Sequence, residues 1–498
     1  MTDYVVAIRS HRSVTLAALL LVTALSAGAQ ARKRPLSPAD VDDIARLVML
    51  EDHRDFDTTD LSRLLASQHP EVRRRAALAI GRIADKRGYA LLRAKPLDAD
   101  TAVAATEVFG AGQLKDSTTV AWFDSLLANR KLAPTVLTEA ATALGKIKTA
   151  RARDALARFL SSASESPRLN QAIGEALLSI GRCTTRGDLN PILRFGKANS
   201  DEIRWRAAWA LFRPRDPAAV SVLMVMAAGD HSPDVRLWAI RALTKPQADS
   251  AGKAADAERI LFAALRDSDR RVRTEAIRAI GTYSDSAAVT AMNAAKSSPD
   301  WWISSSAEEG LARLNPPPAP AGGGRQGGGR SARPAPTPIT RPLPDYKAIV
   351  ERWVVPDYNG APRPTARWET VRGSIEIELY PGDAPLAVDD FVKTMESGTI
   401  VGTAFTRVVP DFVAQEETIP GGHRLRDEVS RHGLTRANLA WASAGLDTGT
   451  PGYTLANAVQ PHNEGDFTAL GRVTKGMDVV DQIQLNDKIT AARILIVR

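Results

Sequence analysis

One cysteine stands among the 498 residues. No disulfide can close within such a chain, and cysteine-ligated zinc ribbons and iron–sulfur clusters are excluded with it. The single Cys183 falls in a helical run and reads as a small buried apolar side chain. Long apolar runs are missing too. The longest, Val14–Ala27, has 14 residues, short of the ~20 that span a bilayer as a helix. A concentrated positive field is also absent. The net charge is +8, yet residues 366–498 hold 13 basic and 18 acidic side chains. A nucleic-acid-binding chain would carry a basic stripe, so nucleic acid is not expected as a partner.

The N-terminus has the pattern of a secretory signal over residues 1–31. Arg9 and Arg12 precede the apolar run, Ala29-Gln30-Ala31 offers a small-x-small cleavage site, and Arg32-Lys33-Arg34 follow. This predicts an exported protein, periplasmic or extracellular, that touches a membrane only if the segment stays uncleaved. No cysteine stands at the cleavage site to carry a lipid. Export also removes the chain from ATP.

From about residue 70 to 314 one pattern recurs. An apolar residue, often followed by Arg, has apolar or small residues at offsets 4, 5 and 8, and often Gly at offset 9. It starts at Val72, Val103, Val136, Ala172, Ile203, Val235, Val272 and Ile303. Offsets 0, 4, 5 and 8 lie on one stripe of a 3.6-residue helix. Cap chemistry stands before several starts, as in Ser232-Pro233-Asp234 and Ser200-Asp201-Glu202. Second apolar runs lie between the stripes at Val120–Leu127, Ala155–Leu160, Val220–Ala227 and Ile260–Leu265, so each unit is two helices.

The repeats resemble HEAT-like helical repeats, on the Val-Arg pairs at 72–73, 235–236 and 272–273 and Ile-Arg at 203–204. One such unit cannot bury its apolar face alone, so stacking into a solenoid over 35–314 is expected, with residues 35–66 as its cap. The repeated Arg is expected to pair with acids between repeats. Trp122, Trp205, Trp209, Trp238, Trp301 and Trp302 are expected in the core. Some HEAT-like repeat enzymes hold iron through His-Glu dipeptides. None occurs here, and only His53, His69 and His231 lie in the region, so no metal is expected. Solenoids of this kind imply protein partners.

Residues 315–345 are dominated by Pro and Gly, which cannot build a core and read as a tether. Beyond it the period changes to two. Ser374–Tyr380 alternates as a half-buried strand does. A helix is expected over Ala387–Glu396, strands over Thr403–Val408, Asn438–Ala442 and Phe467–Val473, and a second helix near Met477–Ile483. Mostly strands with two helices suits a small β-barrel.

The stretches GSIEIELYPGDAPLAVDDFVKTM, FTRVVPDFVAQ, DEVSRHGLTRANLAWASAG and ALGRVTKGMDVVDQI are similar, in order, to the cyclophilins, the peptidyl-prolyl cis-trans isomerases. The resemblance covers about 366–498. It implies a multidomain chain, an all-α HEAT-like solenoid followed by a small mainly-β cyclophilin-like barrel over 346–498. It also implies proline-containing clients and no cofactor. Arg407 matches the catalytic arginine, Phe412 and Val413 the apolar wall of the proline pocket, and Gln415 the glutamine that holds the substrate backbone. Ala442 and Ser443 match the strand along which the peptide lies. Elsewhere the pattern changes: Gly452 stands where a substrate-binding Gln is usual, Thr454 where a Phe forms the pocket floor, and His462 in the common Trp position.

Two readings follow. In one, the tail isomerises X–Pro bonds of exported proteins that the solenoid recruits. In the other, it recognises proline without useful turnover and the chain is a scaffold. A Ser443/His432/Asp447 hydrolytic triad is not expected, because no nucleophile elbow surrounds Ser443.

Overall fold

A computed structural model of the chain describes residues 33–315, 341–416, 419, 425–443, 445–463 and 465–495, leaving aside the side chains of residues 450 and 451. The proposed signal and most of the Pro/Gly-rich stretch lie outside the described residues.

Eight helices carry the repeat: Pro70–Ile83, Thr101–Gln113, Pro134–Ile147, Asn170–Arg182, Asp201–Phe212, Pro233–Ile240, Arg270–Ile280 and Trp301–Leu314. Each begins two residues ahead of the apolar position that marks its repeat, leaving room for a first turn. They stack in sequence as one layer. The second runs form helices behind them, including Val120–Ala128, Ala150–Ser162, Pro217–Gly229 and Ala254–Ala264. Glycine at offset 9 lets neighbours approach. A Cβ on Gly81 would lie 2.7 Å from Gly110 Cα, and one on Gly145 would lie 2.4 Å from Ser179 Oγ.

The expected serine caps are corrected. Ser232 and Ser200 occupy the cap positions, but neither side chain bonds the helix. The repeated arginine holds these starts instead. Arg204 Nη1 donates to Ala198 O at 2.9 Å while its Nε reaches Asp230 at 2.8 Å. Arg236 donates to Asp230 O at 2.8 Å and to Asp267 at 2.7 Å. Arg73 joins Ser67 O at 2.9 Å to Asp98 at 2.7 Å. Each guanidinium thus ties the loop before its helix to an acid of the next repeat, the pairing that the sequence pattern implies.

Cys183 is buried, and burial pushes its thiol up to about 11. Trp209 and Trp302 are fully buried, and Trp205 stacks on Trp238 with ring centres 6.2 Å apart.

The tail is one eight-stranded antiparallel sheet: β1 Thr365–Thr370, β2 Gly373–Leu379, β3 Phe405–Val409, β4 Val413–Glu416, β5 Asn438–Ala442, β6 Thr450–Ala456, β7 Ala469–Lys475 and β8 Ile489–Leu495. The order is β3-β4-β6-β5-β7-β2-β1-β8. The two outer strands meet where Phe405 N donates to Asp487 O at 2.9 Å and Ile489 N to Thr403 O at 3.1 Å, so the sheet closes on itself. Trp368, Phe391, Trp441 and Tyr453 fill the inside, Phe391 and Tyr453 meeting edge to face at 4.9 Å. Helix Pro385–Glu396 covers one opening. β1, β4, β6 and β8 are absent from the expected elements, because they are short or interrupted by polar residues.

A further helix, Leu343–Ile349, crosses the boundary at 346 and packs on the first helix, Pro38–His53. Tyr346 Oη donates to Asp52 at 2.6 Å. Trp353 Nε1, further along, donates to Asp389 of the tail at 2.9 Å.

The two parts do not hang apart on a tether; the repeat helices hold the tail along their whole layer. Seven intervals of ~9 Å between helices would span about 65 Å if flat, against about 35 Å for a compact domain of this size. Contacts from both ends therefore require the layer to curve. At the first end Arg82 donates to Val429 O at 2.9 Å and Glu428 O at 3.1 Å, and pairs with Glu51 at 2.7 Å. Next come Gln113 on Gly465 O at 3.2 Å and Arg182 on Pro461 O at 2.7 Å. Arg278 reaches Pro410 O at 2.6 Å and Arg241 reaches Asp411 at 2.6 Å. At the far end Trp301 and Trp302 both donate to Asp481 O, at 3.2 and 2.8 Å. These two indoles anchor the tail as well as packing. Val429 adds an apolar contact between Leu78 and Phe109.

Two outcomes follow for stability. Arg82→Ala strands Glu51 and the tail carbonyls in a dry interface, which should cost about 3–5 kcal/mol; denaturant unfolding of the full chain measures it, and an unchanged midpoint would contradict the interface. Burial pushes the Glu428 carboxyl up to about 7, against the pull of Arg82. A carboxyl raised in the fold stabilises it below the ordinary carboxylate range and loses that contribution as pH rises through about 7. The pH 5 to 8 loss of thermal stability should therefore shrink in Glu428→Gln.

Candidate active site

Strands β3 and β4 lie side by side, with Arg407 opposite Gln415 and Gln415 opposite Thr454 on β6. The turn between β3 and β4, Pro410-Asp411-Phe412, has Asp411 at φ 53°. This sharp reversal brings the Phe412 ring back beneath Arg407. The Arg407 guanidinium carbon lies 5.3 Å from the ring centre, and Nη1 donates to Gln415 Oε1 at 3.4 Å. Arg407 is exposed and Phe412 half-buried. The cation thus stands over the face of a half-buried aromatic ring, with guanidinium donors beyond the one that Gln415 takes.

His462 closes the other side. It sits on the short turn Pro461–Asn463 and stacks on Phe412, ring centres 5.9 Å apart and planes 21° from parallel. The residue is exposed, while its turn packs against the helix Asn170–Arg182. Burial lowers its pKa to about 4, helped by the cations of Arg213, Arg241, Arg182 and Lys148. A pKa lowered in this direction favours the neutral imidazole, whose face lies along the Phe412 ring.

The other sequence-derived positions divide. Val413 is buried and paired with Ala456. Thr454 is half-buried on β6, its hydroxyl donating to Ala440 O at 3.3 Å. Gly452 falls where the β5–β6 register slips between Trp441–Tyr453 and Ala442–Thr450, so it belongs to a bulge, which suits glycine. Ala442 ends β5. Ser443 turns its hydroxyl into its own loop, toward Gly445 O and, at 3.1 Å, Thr448. The triad residues have separate partners: His432 bonds Asp383 at 3.0 Å, and Asp447 pairs with Arg54.

Three contacts escaped the sequence reading. Gln460 Nε2 donates to Phe412 O at 2.8 Å, while Arg241 and Arg278 grip Asp411 and Pro410. Together they fix the turn that presents Phe412. No local pattern marks them, because the partners lie 48 to 170 residues apart.

Residues 365–497 match the family model for cyclophilin type peptidyl-prolyl cis-trans isomerases. A peptidyl-prolyl cis-trans isomerase of Helicobacter pylori is 36% identical over 131 residues, which cover 24% of this chain and 80% of that protein. The chain belongs to the cyclophilin-type isomerases. Isomerase B of Bacillus subtilis is 34% identical over 128 residues, covering 24% of this chain and 90% of its own length. A solved cyclophilin from Cryptosporidium parvum is 19% identical, covers 27% of this chain and 99% of its own, and gives a TM-score of 0.26. Residues 189–254 match HEAT repeats and 136–162 the PBS lyase HEAT-like repeat. In the cyclophilin domain, the Arg407 guanidinium carbon lies 5.3 Å from the Phe412 ring centre and its Nη1 3.4 Å from Gln415.

Gln460→Ala frees the Phe412 carbonyl and loosens the turn. In a proline-peptide isomerisation assay it should lower kcat/KM about tenfold, chiefly through KM, with the melting temperature nearly unchanged; an unaltered KM would show that the turn needs no such brace.

Proposed function

We propose that this chain accelerates cis–trans isomerisation of X–Pro bonds in exported proteins, with the solenoid acting as a rigid frame for the site and as a partner surface. The task is purely torsional. Amide resonance opposes rotation by ~18–20 kcal/mol, and the unaided X–Pro bond takes ~10–100 s to turn over. No covalent bond is made or broken, so neither nucleophile nor metal is required.

Arg407 carries the reading. In the twisted amide the prolyl nitrogen regains its lone pair and accepts a hydrogen bond that the planar amide does not accept. A permanently charged, planar donor at the rim of an apolar notch meets that need. Gln415, 3.4 Å from Arg407, steers the guanidinium and offers its amide to the client backbone. Phe412 and Val413 receive the ring. Neutral His462 lies on the aromatic flank and adds no competing charge. The export half of the proposal is supported by the n-region, apolar run and cleavage pattern of residues 1–31.

A second reading has a specific observation in its favour. Thr454 and the bulged Gly452 supply no aromatic floor and no side-chain amide, and the lost apolar contact is worth about 1–3 kcal/mol. In that case the tail holds proline without useful turnover. A protease-coupled proline-peptide assay on the full mature chain separates the two. Isomerisation above background that falls about a hundredfold in Arg407→Ala is expected. Retention of the full rate in that variant would defeat the isomerase, and binding without turnover in the parent chain would favour the second reading.

A further inference from the structure

Beside the β3–β4 turn the repeat helices enclose a cavity of about 640 Å³. Five arginines line it, Arg186, Arg215, Arg241, Arg278 and Arg313, with one carboxylate, Glu275. Their pairing is incomplete. Glu275 serves both Arg241, at 3.1 Å, and Arg278, at 2.5 Å. Asp411 takes a second bond from Arg241 at 2.6 Å, and Glu309 takes Arg313 at 2.5 Å. Three carboxylates thus meet five guanidiniums. Arg186 and Arg215 have no carboxylate partner among the described residues; Arg186 donates only to the backbone oxygen of Arg215, at 3.1 Å. Both are exposed and reach solvent at the cavity mouth. Gln247, 7% exposed, lines the wall with its Nε2 unpartnered. Spare cations and a spare amide donor in one hollow make a place for carboxylates.

The position of the hollow says which carboxylates. Arg241 and Arg278 line it and at the same time hold Asp411 and Pro410. The next residue is Phe412, the wall of the proline notch. Cavity and notch therefore share one turn. An extended chain advances ~3.3–3.6 Å per residue, so two to five residues of a client reach roughly 7–18 Å to either side of a proline held against Phe412.

We propose that this cavity is a second subsite for the same client, taking Asp or Glu side chains that lie about two to five residues from the proline. The inference rests on the proline-binding reading of the notch, and it makes acidic segments around proline the favoured substrate class. Arg186, Arg215 and Arg313 are specificity residues here, because they touch the flank of the client and not the rotating bond. The same turn explains why the repeats and the tail must be one body: a subsite on the former can select for a notch on the latter only if their spacing is fixed.

The test uses the full mature chain and two fluorescent peptides of equal length with a central Ala-Pro. One carries Glu at positions two to five on both sides, the other Gln. At low ionic strength the acidic peptide should bind about tenfold more tightly by anisotropy, and, where turnover is present, show a kcat/KM higher by a similar factor. The combined variant Arg186→Gln, Arg215→Gln, Arg313→Gln should bring that ratio close to one, and Arg215→Glu should push it below its parent value. Salt should shrink the preference as the Debye length shortens. Equal affinity for the two peptides in the parent chain, or a preference that survives the triple variant, overturns the proposal. Absence of turnover with the affinity ratio intact would count against the isomerase alone and leave the subsite standing.

Discussion

The structure depends on donors in the repeat helices finding acceptors in another domain. Arg82, Gln113 and Arg182 sit at equivalent places, ten residues beyond Val72, Val103 and Ala172. Each is buried, and each ends on a backbone carbonyl of the tail. A guanidinium or amide removed from water must keep its hydrogen bonds or cost several kcal/mol. The carbonyls are bound by the same rule, since they belong to loops that have no strand partner at those points. Each surface completes the other, and the fit fixes the curvature of the solenoid.

That constraint reaches the active site. The cyclophilin domain supplies Arg407 and Gln415 from two adjacent strands and Phe412 from the turn between them. The turn that aims Phe412, however, is held by Arg241 and Arg278 from the repeats and by Gln460 from the tail. His462, stacked on the same ring, rests on the turn whose Pro461 carbonyl Arg182 captures. The apolar notch is thus partly a product of the frame around it. The repeats thus brace the turn that carries Phe412, while the ring stacked on it, His462, comes from the tail. The repeat layer, expected as a free surface for partners, spends much of itself on this internal contact and leaves the arginine-lined cavity at its edge.

Electrostatics point the same way. The tail is acidic and the repeats are basic, and the charges meet with most groups satisfied. Glu428 keeps a raised pKa because burial outweighs Arg82. His462 keeps a lowered one because burial and four cations act together.

Much was legible from residues alone. Repeat helices start two residues before the marked positions because apolar spacing of 3.6 and the turn before it are local properties. The link from the repeated Arg to acids of the next repeat follows from a constant sequence separation. Arg407, Phe412 and Gln415 were readable because a short motif on two paired strands brings them together without help. Ser443 was placed on the right strand, but which way its hydroxyl turned depended on Thr448 and Gly445. The serine caps were misread: Ser200 and Ser232 hold the cap positions without a side-chain bond to the helix, while the nearby arginines bind the loop carbonyls. The sequence by itself determined the two architectures and their order, since each rests on periodicity or on neighbours close in the chain. Only the tertiary structure decided that the two architectures form one body, that Arg182 and Arg278 read carbonyls of the tail, and that five arginines gather around one hollow. The contacts between repeats and tail join residues more than a hundred positions apart, and no spacing in a linear chain encodes which distant carbonyl a buried donor will meet.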